Sequence, residues 1–138
     1  MKIKRIMSYA MILIALVVSF SKIDVKASDD KSYVQPRGYY LAEGVSSISK
    51  TGTYTINATG VTTAARKCNV AVAVTVEQFR NDQWYYYTSW QTSNTNAYTA
   101  SISKTIYVDL GYFYRVVSTH AAGTDGSSSF TNALWMGL

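Results

Sequence analysis

Few residues in this 138-residue sequence can do acid–base, nucleophilic or metal chemistry: one histidine, one cysteine and eight carboxylates. His120 and Cys68 are the pair that could act as base and nucleophile. Cys68, however, opens the run Cys68-Asn69-Val70-Ala71-Val72-Ala73-Val74-Thr75-Val76. A period of two places it on one face with four valines, where a buried thiol is inert. Glu43, Glu77, Asp82, Asp109 and Asp125 are scattered, mostly at turns where short acids belong. A hydrolytic carboxylate pair would have to converge in a cleft. One His and one Cys do not make a standard structural zinc site. Thr124-Asp125-Gly126 reads as a turn before it reads as a calcium loop. No glycine-rich phosphate motif occurs. The expectation is no catalytic residue, no metal and no cofactor: a protein that is not an enzyme. Asn57-Ala58-Thr59 is a glycosylation sequon, meaningful only in a eukaryotic secretory host.

The charge is +5 overall, but it is unevenly spread. Residues 1–27 hold five Lys/Arg against one acid, and the rest hold eight against seven. The body therefore lacks the basic face that nucleic acid would require. The basic start Lys2, Lys4, Arg5 is followed by the apolar run from Met11 to Phe20 and by Val25-Lys26-Ala27. That run is shorter than the roughly 20 apolar residues a bilayer needs. The pattern is that of a cleaved signal peptide over residues 1–27, so the expected product is secreted, extracellular and not stably inserted in a membrane. A loose segment over 28–36 and one domain over 37–138 complete the expected organisation. The single cysteine rules out a disulfide framework.

The elements that must position any site are strands. The chain has 12 Tyr, 3 Trp and 4 Phe, and its body is rich in Ser and Thr with no apolar stripe at helical spacing. Turn signals such as Thr51-Gly52, Thr59-Gly60, Arg80-Asn81-Asp82, Ser93-Asn94-Thr95-Asn96 and Asp109-Leu110-Gly111 separate strands expected near 45–49, 53–58, 69–79, 84–92, 98–108, 112–121 and 129–136. About seven short strands with regular turns predict an all-β protein, a single antiparallel β-sandwich. The valine strand is expected at its centre. In Trp84-Tyr85-Tyr86-Tyr87-Thr88-Ser89-Trp90, alternation puts both tryptophans on one face, here the inner one, and leaves Tyr85 and Tyr87 outside.

Two resemblances add to this. Asp109-Leu110-Gly111-Tyr112-Phe113-Tyr114-Arg115-Val116 resembles the tyrosine corner that opens strand F in immunoglobulin-like and fibronectin type III-like sandwiches. It implies an immunoglobulin-like fold with Tyr112, Tyr114, Val116 and Ser118 pointing inward. The body as a whole is similar to a group of small secreted proteins of Gram-positive bacteria with no assigned function. The shared features are Pro36-Arg37-Gly38-Tyr39-Tyr40-Leu41 and Val76-Glu77-Gln78-Phe79. That likeness implies no catalytic residue.

In a sandwich of that kind strands C and F are neighbours. Tyr85 and Tyr87 would then lie beside Phe113 and Arg115, forming an aromatic platform able to hold a protein or glycan ligand or a second copy. The expected function is a non-catalytic extracellular binding module. The first alternative is a structural or self-assembling matrix or surface-layer protein, using exposed edge strands. The second is a secreted toxin or antimicrobial factor, suggested by the amphipathic stretch from Tyr98 to Val108.

Overall fold

The computed structural model describes residues 25–28, 31–34 and 38–138. It contains two short strands, β1 (Val25–Ser28) and β2 (Lys31–Val34), and six with described side chains. These are β3 (Leu41–Lys50), β4 (Thr55–Arg80), β5 (Gln83–Tyr107), β6 (Tyr112–Ala122), β7 (Asp125–Phe130) and β8 (Leu134–Met136). The protein is all-β, with every pairing antiparallel and no helix among the described residues. Most of the expected leader lies outside the described residues. Cleavage after Ala27 would cut within β1, which pairs with β2.

β4 organises the molecule because it is long enough to be used twice. One of its edges pairs with β5 from end to end. The other pairs with β3 over Ile56 to Ala64, and then with β6 over Val70 to Phe79. Between Thr63 and Val70 the register to β5 shifts twice, and the ribbon bends there. The two halves of β4 fold onto each other. Thr62 Oγ1 donates to the Ala71 carbonyl at 2.9 Å, and Gly60 sits against Val72 and Val74 of its own strand. β7 continues the sheet beyond β6 and meets β3, where the Ser46 and Ser129 hydroxyls are 2.7 Å apart. The result is one sheet curled into a half-barrel. A seven-strand sandwich is not clearly formed.

The inner surface follows the alternation. Val70, Val72, Val74 and Val76 are buried, facing Ile48, Ile56 and Ala58 from the other half and Tyr114, Val116 and Met136 beside them. Each buried valine removes apolar surface worth about 1.5–3 kcal/mol from water. The valine strand is central, as expected, since it has a partner on both edges. Cys68 is only half-buried, because it lies at the bend, before the regular alternation begins.

Two expected pairs of strands are single strands. The segments near 53–58 and 69–79 join into β4, and those near 84–92 and 98–108 join into β5. Thr59-Gly60 and Ser93 to Asn96 are therefore not chain reversals. Asn81 and Asp82 do form one, with φ of 50° and 61° in a two-residue hairpin turn. The merging also changes neighbourhood: β4 stands between β5 and β6, so the Trp-bearing strand is not hydrogen-bonded to the strand that begins at Tyr112, and the two meet only through side chains that reach across β4.

The corner at that strand is formed. Tyr114 is fully buried, its hydroxyl donates to the Asp109 carbonyl at 2.8 Å and it accepts from Gln78 Nε2 at 2.9 Å. Val116 and Ser118 are buried on the same face, and Tyr112 partly so. Burial raises the Tyr114 pKa, which keeps the hydroxyl a donor. Tyr114→Phe should cost about 1–3 kcal/mol, because Asp109 and the buried Gln78 amide both lose a partner. Chemical denaturation would show this as a lower midpoint at an unchanged slope.

Candidate functional site

The outer face of the second half of β4 carries its odd-numbered residues, and the register fixes what stands beside them. Phe79 is opposite Trp84 on β5 and Phe113 on β6, and Phe113 is opposite Trp135 on β8. Trp135, Phe113, Phe79 and Trp84 thus form one row across four strands. Ring centroids are 4.9 Å apart for Phe113–Trp135 and 5.1 Å for Phe79–Trp84, tilted by 52° and 56°. The next row is Tyr86, Glu77 and Arg115. Arg115 Nε donates to Glu77 Oε1 at 2.8 Å, and its guanidinium lies 4.3 Å from the centre of the Trp84 ring. Trp135 is 50% exposed, Tyr86 47% and Phe113 41%. Aromatic side chains that stay in water in a contiguous strip mark a contact surface more strongly than isolated ones.

Two of the four expected platform residues belong to this surface, Phe113 and Arg115. Tyr85 and Tyr87 do not. Tyr85 is opposite Gln78, an inward position, with Arg80 4.6 Å from its ring centre. Tyr87 packs edge-on against buried Tyr114, with centroids 5.4 Å apart. The cause is a bulge. Val76 pairs with Thr88 and Glu77 with Tyr86, so Tyr87 is an extra residue in β5. Strict alternation would place Trp84 and Trp90 on one face. The extra residue breaks it: Trp90 is opposite inward Val74, and Trp84 faces out. No signal in the sequence marks the bulge, so Trp84, Phe79, Tyr86 and Trp135 were not legible as surface partners of Phe113.

His120 and Asp125 are committed to the fold, while Cys68 is a free, half-buried thiol. His120 is fully buried. Its Nδ1 is 2.8 Å from Thr62 Oγ1 and its Nε2 is 2.7 Å from Ser129 Oγ. Since the Thr62 hydroxyl gives its proton to Ala71, it accepts from His120, which fixes the proton on Nδ1. Nε2 then accepts from Ser129, and Ser129 Oγ accepts from Ser46. This is a directed chain, Ser46 to Ser129 to His120 to Thr62 to the Ala71 carbonyl. It resembles a serine–base pair in distance but lies inside the layers, against Gly44, where Cβ of any other residue would meet the imidazole at 2.5 Å. The Asp125 carboxylate accepts from the backbone N–H groups of Tyr40 and Leu41, at 2.6 and 3.1 Å, tying the entry segment to β7. Among the described residues no cluster of His, Cys, Asp or Glu has metal-holding geometry.

A second surface differs in chemistry. On the first half of β4 the outer face is a lattice of hydroxyls and amides. Thr59 Oγ1 is 2.7 Å from Ser103 Oγ, Asn57 Nδ2 donates to Thr105 Oγ1 at 3.2 Å, and Ser47 and Ser49 extend the rows onto β3. The sequon asparagine, Asn57, lies in this lattice.

Compared with known protein families, curated proteins and solved structures, the chain matches none.

Proposed function

We propose that the protein is a secreted, non-catalytic binding module that holds its ligand on the row Trp135–Phe113–Phe79–Trp84, with Tyr86 at its side. The observation that carries this reading is the continuity of the row across four strands, with Trp135 and Phe113 in it and Tyr86 beside it 41–50% exposed. Tyr, Trp and Phe supply large contact area with few rotamers to freeze, and a residue of this kind at the centre of a contact dominates binding. Among the described residues the one cation in the strip, Arg115, is already neutralised by Glu77. That favours a neutral ligand with apolar faces: a glycan chain first, a protein surface second. The expectation drawn from immunoglobulin-like sandwiches, a platform built from strands C and F, is replaced by a platform centred on β4.

Trp135→Ala and Phe113→Ala should each weaken binding to a soluble neutral polysaccharide about tenfold or more. Their melting temperatures should stay close to wild type, since both side chains are largely outside the core. Tyr85→Ala should leave affinity unchanged. Calorimetric titration against neutral and anionic polysaccharides checks this. Equal loss in Tyr85→Ala, or binding to anionic chains alone, would overturn the reading. Failure of every glycan with retained capture by a defined protein ligand would move the row to the second class. Dye release from vesicles by the wild-type chain would instead favour the toxin alternative.

A further inference from the structure

β5 is an edge along its whole length. Among the described residues β4 is the only strand that this 25-residue strand pairs with. Exposed edges are usually blunted by charge, proline or bulges. Here the blunting is confined to the first half, with the bulge at Tyr87 and the irregular register between Thr99 and Asn94. From Thr99 to Tyr107 the register to β4 is unbroken, no proline occurs, and Lys104 is the only charge.

Two side chains show which backbone groups face away from β4. Asn94 Nδ2 donates to the Thr99 carbonyl at 2.8 Å, and the Tyr87 hydroxyl donates to the Tyr107 carbonyl at 3.4 Å. Those carbonyls belong to odd-numbered residues, and in an antiparallel ladder the N–H and C=O of one residue point to the same side. Ser101, Ser103 and Thr105 therefore turn their N–H and C=O outward, between two positions already occupied. Among the described residues this segment is an unpaired ladder with defined ends.

We infer that this ladder pairs with its own copy, antiparallel about a two-fold axis through Ser103. The register is self-complementary. Ser103 meets Ser103 of the second copy, and Ser101 meets Thr105 in both directions, giving three pairs of backbone hydrogen bonds. On the outer face the hydroxyl lattice runs on across the junction. On the inner face Lys104 falls opposite Ile102 of the other copy, so no like charges oppose one another. Half-buried Ile102 and Ile106 gain cover. A second copy satisfies every outward group in the segment with no charge mismatch. This goes beyond the ligand reading, since the aromatic row lies on the other half of β4 and stays free in the pair.

The test is sedimentation velocity on the purified full chain over a hundredfold range of concentration, with and without reductant. Wild type should shift from monomer to dimer as concentration rises, unaffected by reductant. Ser103→Pro should remain monomeric, because its lost N–H points away from β4 and edge positions tolerate proline. Ser103→Lys should also remain monomeric, because it sets two ammonium groups against each other at the axis. Ser47→Lys, on the same outer face but on β3, should dimerise as wild type does. Circular dichroism must show all three folded. A monomer at every concentration would overturn the inference. So would a dimer that survives both Ser103 variants, or one that reductant dissolves through Cys68. Retained polysaccharide binding by monomeric Ser103→Pro would separate this surface from the ligand row.

Discussion

Acidification from pH 7 to pH 4 should remove a large part of the protein's stability, and His120 is the group responsible. Burial pushes its pKa down to about 4 from an ordinary 6.5. Above pH 6.5 the imidazole is neutral in both folded and unfolded chains, and stability is at its full value. Between 6.5 and about 4 the unfolded chain binds a proton that the folded chain refuses, so stability falls with pH through that window. Below about 4 both states are protonated and this loss stops growing. The shift corresponds to roughly 3 kcal/mol, against a total of about 5–15 kcal/mol for a domain of ordinary stability. The wiring explains the refusal. Nδ1 already carries the proton held by Thr62, so a second proton must enter at Nε2 and displace the hydrogen that Ser129 donates there. Among the described residues no carboxylate is placed against the ring to compensate: the groups that touch it are Thr62 on β4, Gly44 on β3 and Ser129 on β7, which Ser46 backs.

His120→Ala should lower stability at pH 7 by about 3–4 kcal/mol, through the cavity and through polar groups left without partners. It should also flatten the dependence between pH 6.5 and 4, since the remaining acids titrate alike in both proteins. Denaturation midpoints at half-unit pH steps would show both effects. A variant as acid-sensitive as wild type would mean that another group carries the loss.

How much of this was legible in the sequence depended on period. Where alternation ran unbroken, as from Val70 to Val76 or Tyr114 to Ser118, faces followed from the residues alone. Arg80-Asn81-Asp82 announced its own turn. The errors share one physical origin: a residue type with two structural uses. Gly60 and Asn94 are turn formers, but a glycine also serves where two layers approach closely, and an asparagine also caps an edge carbonyl. Reading them as chain reversals divided β4 and β5 and set β5 directly beside β6, where β4 in fact lies between them. The Tyr87 bulge then reversed the faces of everything before it in β5. His120 was visible as the lone histidine, but its partners come from three other strands, and no local spacing records them.

Gly60 offers the sharpest test of the folded-over sheet, independent of any function. A Cβ there would meet Val74 Cγ2 at 2.5 Å, Val72 Cγ2 at 2.9 Å and the Ser118 hydroxyl at 3.0 Å. All four residues are buried, so no contact can be relieved by swinging a side chain into solvent. Gly60→Ala must push the halves of β4 apart, and overpacking of this kind costs about 1–3 kcal/mol, or more where the backbone is pinned. It is pinned here, two residues away, by the bond from Thr62 to Ala71. In an open strand the same substitution would be neutral or favourable, because alanine lowers the entropy of the unfolded chain. The sign of the effect therefore reports the geometry. Val74→Ala alone should also destabilise, by leaving a cavity. In Gly60→Ala with Val74→Ala the new methyl occupies space the old one vacated, so the double variant should be more stable than the two losses added together. A coupling of 1 kcal/mol or more in that direction, on the order expected for residues in direct contact, would place residues 60 and 74 against each other. Additive losses would mean that the two halves of the strand do not meet.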